Sequence, residues 1–290
     1  MMKTLLASLS RILAFATLLG AASAASAASA ATAAPINVAT YNLRYNNTGD
    51  GPNAWPARKE MVKALVRYHE FDIMGTQEGL ADQIADLAQM DEFDHVGIGR
   101  DDGKDAGEHS AIFFRKSRFA LLGKGDFWLS ETPDRPSFGW DAKCCHRLVS
   151  WARLRDRSSA RTFYVFSLHF DHEGEVARRN SADLVLRKIA EITHGEPAIC
   201  VGDFNSTPET VQIRKMSAAL QDAARVSKTP PYGPSATYNG FHLDVGPTER
   251  IDYIFVDRHF EVLKYAVLND SLAGRYPSDH DPVVARVVFK

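Results

Sequence analysis

The 290-residue chain is short of several things, and each shortage narrows what it can be. It has three cysteines, Cys144, Cys145 and Cys200, with no C-x-x-C spacing, which argues against a thiolate zinc site. Adjacent cysteines rarely pair, because disulfide geometry is poorly met across one peptide bond. A bridge from either of them to Cys200 would leave an odd thiol, and the sequence leaves the pairing open. Cys200, inside the apolar run before Gly202, reads as a buried, inert thiol. There is no Lys/Arg-rich run: 34 basic residues, two of them (Lys3 and Arg11) near the N-terminus, stand against 36 acidic ones. Proteins that grip long polyanions present a basic face, so this balance argues against a processive nucleic-acid binder, while leaving room for a local basic groove. The apolar stretch Ile12 to Leu19 is too short, and too closely flanked by Ala and Ser, to span a bilayer. No internal repeat and no Pro/Gly/Ser linker divides residues 35–290, so one domain is expected.

What is present begins with an address. Lys3 and Arg11 border a short apolar segment, and Ala21 to Ala34 is almost pure Ala and Ser, with several small-x-small cleavage sites. Residues 1–34 are expected to be a signal peptide and leader, placing the mature chain in a periplasm or outside the cell. Beyond it, strand-like runs recur at Ile36 to Tyr41, Phe71 to Gly75, Ser110 to Arg115, Leu148 to Leu154, Phe163 to His169, Ala198 to Val201, Ile251 to Val256 and Val283 to Phe289. Helical spacing separates them. Ala57 to His69 carries Met61, Ala64, Leu65 and Tyr68 on one face, and Leu80 to Gln89 follows the same period. Gly174 to Ile192 offers Val176, Leu184, Leu186 and Ile189 as apolar contacts, and Ser206-Thr207-Pro208-Glu209 reads as a helix start. Alternating elements mean an α/β fold. Strand-rich stretches without intervening helices, Ser110 to Phe127 and Leu148 to His169, predict two mixed sheets packed face to face with helices outside.

Chemistry concentrates where apolar runs end. Ala198-Ile199-Cys200-Val201 runs into Gly202-Asp203-Phe204-Asn205, and Asp252 lies within the apolar run Ile251 to Val256. Ser278-Asp279-His280 precedes the last strand, Gln77-Glu78 follows Ile73-Met74-Gly75, Asn42 follows Tyr41, and His169 closes Phe163 to Leu168. Acids and amides at strand ends can hold a hard cation, a water and an oxyanion together. Any one alone has an ordinary structural reading: Asn42 a turn former, Glu78 a helix N-terminal acid, His169 a core histidine, Asp203 and Asn205 an Asx turn. Taken in order, the set resembles the endonuclease/exonuclease/phosphatase family, the DNase I-like metal-dependent hydrolases. The resemblance spans Asn42 to His280, nearly all of residues 35–290, and is to a bacterial secreted branch. It implies a four-layer αββα sandwich with the site at one end of the sheets.

The resemblance also implies roles. Glu78 becomes the principal ligand of Mg²⁺ or Mn²⁺, Asp279 lies on the metal side, and Asn42 sits beside both metal and phosphate. Asp203 prepares the attacking water, Asn205 and His169 face the phosphate, and Asp252 pairs with His280, which contacts the phosphate. Arg178 or Arg179, on the following helix, is a further candidate for substrate contact, and Arg178 is taken as the substrate-binding one. The implied activity is that of a secreted divalent-metal-dependent phosphodiesterase or phosphomonoesterase, acting as a monomer. Loops at Asn46 to Trp55, Arg100 to Lys104, Gly139 to Asp141, Thr237 to His242 and Gly274 to Pro277 suggest a wall of aromatics and mixed charge. Such a wall favours a small or sugar-linked phosphoester over nucleic acid. A nuclease, a glycosidase built on paired carboxylates and a catalytically silent binding protein are the competing readings.

Overall fold

The structure, a computed structural model, describes residues 34–290, so the expected leader lies almost wholly outside the described residues. In chain order the elements begin with β1 (Ile36–Asn42), α1 (Trp55–Tyr68), β2 (Ile73–Gln77), α2 (Ala81–Leu87), β3 (Phe93–Val96), β4 (Ile112–Arg115) and β5 (Phe119–Trp128). There follow β6 (Leu148–Asp156), β7 (Thr162–His169), α3 (Glu175–Thr193), β8 (Ala198–Asp203), α4 (Val211–Ala219) and β9 (Gln221–Asp222). The chain closes with α5 (Ala223–Val226), β10 (Asp252–Val256), β11 (Phe260–Val267) and β12 (Val283–Phe289). One six-stranded sheet has the order β11-β12-β1-β2-β4-β3, the other β5-β6-β7-β8-β10-β9. Each is mixed: β1 with β2 and β7 with β8 are parallel pairs, flanked by antiparallel neighbours.

Side-chain alternation explains the layers. In β1, Ile36 and Val38 enter the core between the sheets, while Ala39 and Tyr41 face the helices. In β8, Ile199 and Val201 point inward and Ala198 and Cys200 outward; in β10, Ile254 and Val256 point inward and Tyr253 and Phe255 outward. Both faces are covered, which is why these strands read as unbroken apolar runs. Helix α1 covers the first sheet with Trp55, Val62, Leu65 and Val66, and α3 and α4 cover the second with Val185, Ile189, Ile213 and Met216. The result is the expected four-layer sandwich. At its centre the sheets approach closely: a Cβ on Gly75 would lie 2.4 Å from Val201 Cγ2 and 2.8 Å from Ser167 Oγ.

Three local expectations need correction. Helix α1 starts at Trp55-Pro56 and its buried stripe is Trp55, Arg58, Val62, Leu65 and Val66, so Tyr68 is left 81% exposed. Val176, on the first turn of α3, is 43% exposed and not a core contact. The helix expected to start at Ser206 begins at Val211 instead. Asn205 has φ 45°, and the Ser206 carbonyl accepts from the Tyr253 hydroxyl at 2.8 Å, so the chain stays open there before turning.

Candidate active site

The same alternation that builds the core delivers the polar residues. Asn42 continues the inward face of Ile36 and Val38, His169 that of Phe163 and Val165, and Asp203 that of Ile199 and Val201. Asp252 begins the inward face of β10. Strand register then brings them level: Asn42 pairs with Gln77, His169 with Asp203, and Asp203 with Asp252. The sheets therefore end together in a cleft of about 630 Å³, bordered by Glu78, Asp203, Asn205, His169, Asp279 and His280.

Asn42 is the hub. Its Nδ2 donates to Glu78 Oε1 at 3.0 Å and to Asp203 Oδ2 at 3.0 Å, and its Oδ1 accepts from Arg44 N at 3.0 Å. Two carboxylate acceptors and one backbone donor leave no ambiguity about which way the amide points. Glu78 holds its carboxylate toward Asn42 with a left-handed backbone (φ 62°), and its Oε2 accepts from Tyr45 N at 3.1 Å. A glutamate in that region costs conformational energy, and such positions gather at functional sites.

Two histidines stand in opposite charge states. His280 Nδ1 lies 2.9 Å from Asp252 Oδ2, which also accepts from Thr237 Oγ1 at 2.6 Å. Burial disfavours a charged imidazole here, but Asp252, with help from Asp203 and Asp279, holds His280 well above its usual range. His280 is thus a cation whose Nε2–H lies 3.9 Å from Asp203 Oδ2. Asn205 Nδ2 donates to Phe170 O at 3.0 Å and lies 3.0 Å from His169 Nε2. The Phe170 carbonyl fixes the amide's orientation, so His169 Nε2 accepts and its proton sits on Nδ1. Burial, with Arg147 and Arg100 nearby, pushes His169 well below the usual range, which agrees with a neutral ring. The structure brings Asn205 and His169 to the cleft as expected, but engages them with each other. Divergent environments of this kind assign distinct acid–base roles.

Asp203 is buried, accepts from Asn205 N at 2.8 Å, and is pushed up to about 7 by burial and by Asp252. Asp279 is pushed up to about 6 by burial, with Glu78 adding to it, and lies 3.8 Å from Arg44 Nε. Ser278 Oγ donates to Asn42 O at 2.7 Å and ties this loop to β1. Asp281 accepts from Asn239 Nδ2 at 2.8 Å, a structural role.

Whether these residues suit a cation can be judged from the donors. Asp203, Asp252 and His280 have ligand atoms within 4.8 Å of one another. That trio is a poor cage, because Asp252 Oδ2 is committed to Thr237 and His280, and an imidazole held protonated offers no lone pair to a cation. Glu78 and Asp279 fit better: they border the cleft, are electrostatically coupled, and the Glu78 oxygens accept from neutral N–H groups. All-oxygen donors with excess negative charge suit a hard divalent ion.

Arg178 is not brought into this cleft. Its Nη1 donates to Asp171 O at 3.0 Å, and it borders an adjoining hollow with Arg179 and Arg214. Trp55 is core, donating from Nε1 to Asp86 at 2.9 Å, whereas Tyr45, Arg100 and Tyr238 do form cleft wall. Sequence reasoning missed Glu108, whose Oε2 lies 3.8 Å from His169 Nδ1 and which burial pushes up to about 7. Glu108 closes an irregular Gly-containing loop that carries no period, and only the folded chain pairs its backbone with Arg100 (Arg100 N to Glu108 O, 3.0 Å). Sequence reasoning also missed Arg147. The pairing that the sequence leaves open takes the rarer form: Cys144 and Cys145 are bonded to each other, and both border the cleft. They lie in an irregular loop where no strand alternation separates the two side chains, while Cys200 is free and buried in β8. Burial pushes the Cys200 thiol up, as expected of an inert one.

Residues 39–280 match the sequence model of the Endonuclease/Exonuclease/phosphatase family. Among solved structures, a mannosyl-6-phosphatase of Bacteroides thetaiotaomicron is 41% identical, covering 88% of this chain and 100% of its own, with TM-score 0.84. A family protein from the same species is 40% identical over 89% of this chain and 99% of its own, with TM-score 0.85. A curated relative, uncharacterized protein L388 of Acanthamoeba polyphaga mimivirus, is 23% identical over 159 residues, and the match spans 52% of this chain and 59% of that protein. With motif order, sheet architecture and cleft geometry in agreement, the chain belongs to the endonuclease/exonuclease/phosphatase family.

Proposed function

We propose that this protein is a divalent-metal-dependent phosphoester hydrolase whose substrate is a small, sugar-linked phosphate. The observation that carries the reading is the Asn42 amide held between Glu78 and Asp203, with the His280 cation beside it. One side of that hub is anionic and suits a cation; on the other, His280 offers its Nε2–H to a phosphate. Glu78 and Asp279 would hold Mg²⁺ or Mn²⁺, and Asn42 would sit beside it. When bound, the ion supplies Lewis-acid polarisation of the phosphate and stabilises the leaving oxygen.

The chain's own residues do the rest. Asp203, raised to about 7, is poised to take a proton from water near neutral pH. As the water oxygen bonds to phosphorus, the bond to the leaving oxygen breaks; the sugar oxygen takes a proton from solvent and departs as an alcohol, and Asp203 returns the proton it gained to solvent. His280 Nε2–H faces the charge that grows on the phosphoryl oxygens, while Asp252 and Thr237 hold its ring. Asn205 and the neutral His169 brace one another beside Asp203, with Glu108 behind.

The sugar-linked substrate is supported by the 41% identity to a mannosyl-6-phosphatase and by a cleft wall of Tyr45, Tyr238 and Ile251 among charged groups. We propose also that residues 1–34 direct export, that the mature enzyme works as a monomer, and that it acts in a periplasm or outside the cell. An N-terminus near Pro35 on the exported protein would bear out the export reading, and retention of Met1 would refute it. The test of activity is phosphate release from mannose 6-phosphate, p-nitrophenyl phosphate and bis-p-nitrophenyl phosphate, with plasmid DNA alongside, each with and without Mg²⁺ or Mn²⁺. Metal-dependent turnover of the monoesters is expected. Cleavage of DNA alone would favour a nuclease, and turnover of nothing despite bound metal would favour a silent binder.

A further inference from the structure

One wall of the cleft takes no part in that chemistry. It is formed by the Cys144–Cys145 disulfide, in the loop between β5 and β6. The loop is fastened on both sides. Upstream, the Asp141 carboxylate accepts from Val176 N at 3.0 Å and Ala177 N at 2.6 Å, gripping the start of α3. Downstream, the buried Arg147 donates from Nη2 to His172 Nδ1 at 2.8 Å and reaches Asp171 Oδ2 at 3.5 Å. Asp171 in turn accepts from the backbone N–H groups of Glu173 and Gly174. With Nδ1 accepting from Arg147, the ring N–H of His172 is on Nε2, 3.6 Å from Glu173 Oε1, and Cys144 Sγ lies 3.9 Å from Nδ1.

The wall is thus rigid, next to the chemistry and of mixed character. Arg147 links it to the reacting centre, since its charge acts on His169. The S–S bond is polarisable and lacks strong hydrogen-bonding groups, whereas His172 presents an N–H at the cleft edge. A sugar ring presents the matching pair, a face of C–H bonds and a rim of hydroxyls. A surface already fixed by covalent closure and hydrogen bonds loses little entropy when a ring settles on it.

We infer that the Cys144–Cys145 disulfide and His172 form the subsite for the sugar of the leaving group. The C–H face rests on the disulfide, and a hydroxyl accepts from His172 Nε2–H. The inference depends on the phosphoesterase reading above and makes the disulfide a specificity determinant.

The experiment compares two esters on the same preparation, mannose 6-phosphate and methyl phosphate, by inorganic phosphate release. The ratio of their kcat/KM values is measured for the native protein, for Cys144→Ser/Cys145→Ser and for His172→Ala. A misfolded fraction lowers both values equally and leaves the ratio alone. The subsite predicts that each variant lowers the mannose 6-phosphate to methyl phosphate ratio by roughly tenfold, the scale of one lost pocket contact. A ratio within about twofold of native in both variants, below the smallest such contact effect, places the sugar elsewhere and overturns the inference. Thiol titration of the denatured, unreduced protein should find Cys200 alone. Three reactive thiols would remove the disulfide and the inference with it. Phosphate release from neither ester by the native protein would instead bring down the phosphoesterase reading on which the subsite rests.

Discussion

Asp203, Asp252 and His280 form one hydrogen-bonded and electrostatic unit, so changes to them test the chemistry more than the fold. Asp203→Asn removes the proton acceptor while keeping the acceptor oxygen for Asn205 N and is expected to abolish turnover, with circular dichroism unchanged. Near-normal phosphate release by this variant would sink the assignment. Asp252→Asn withdraws the charge that holds His280 protonated, and kcat should fall by roughly 10²–10⁴-fold, as when a positioned acid–base group is lost. A smaller effect than that would mean His280 acts as a neutral donor. At this scale the sequence was legible where strands deliver residues. Asn42, His169, Asp203 and Asp252 lie at the ends of strands whose alternation and register can be read, and Glu78 directly follows one. Glu108 and Arg147 were not legible, because one follows a loop without period and the other gains its meaning only through Asp171 and His172. Arg178 carried a sensible charge in a sensible place, but its helix points it into the neighbouring hollow.

At the scale of elements, two positions hold the site's framework. Arg58, buried on α1, donates from Nη1 to Leu43 O at 2.9 Å and Pro277 O at 2.6 Å, from Nη2 to Arg44 O at 3.2 Å, and from Nε to Asn53 O. One side chain therefore joins the loop after β1, the turn before α1 and the loop that carries Asp279. Arg58→Met leaves these carbonyls unpaired and should cost roughly 3 kcal/mol in a urea melt. Arg58→Lys should recover little, since an ammonium lacks the planar fork. Full recovery by lysine would show that charge alone matters. Gly75→Ala forces a methyl against Val201 and Ser167 between the sheets and should destabilise by about 1–3 kcal/mol. A neutral outcome would mean that the sheets part there without cost. Neither β3 nor β11 was read from the sequence: β3 has four residues, and β11 alternates around exposed Lys264 with a register shift between Val262 and Lys264. Long strands buried on both faces were easy to find, and short or bulged ones were not.

At the scale of the whole molecule, the two sheets of the described residues, each with a parallel central pair, close on the core between them and open at one end into the cleft that holds the site. Adjacent strand-rich stretches without helices between them foretold the paired sheets. Strand order, by contrast, depends on contacts between distant segments, such as β12 beside β1, that no local pattern carries. On the proposed reading, the carboxylates that border the cleft, Glu78 and Asp279 among them, make turnover conditional on a cation. Dialysis against EDTA should abolish turnover, and added Mg²⁺ or Mn²⁺ should restore it; turnover that survives chelation would contradict the Glu78 and Asp279 site. The most direct measurement is inorganic phosphate release from mannose 6-phosphate by the purified protein in Mg²⁺, run beside Asp203→Asn and an EDTA-treated sample. The account predicts sustained release by the native protein and none from either control. Equal release in all three, or none from the native protein with metal bound, would contradict it.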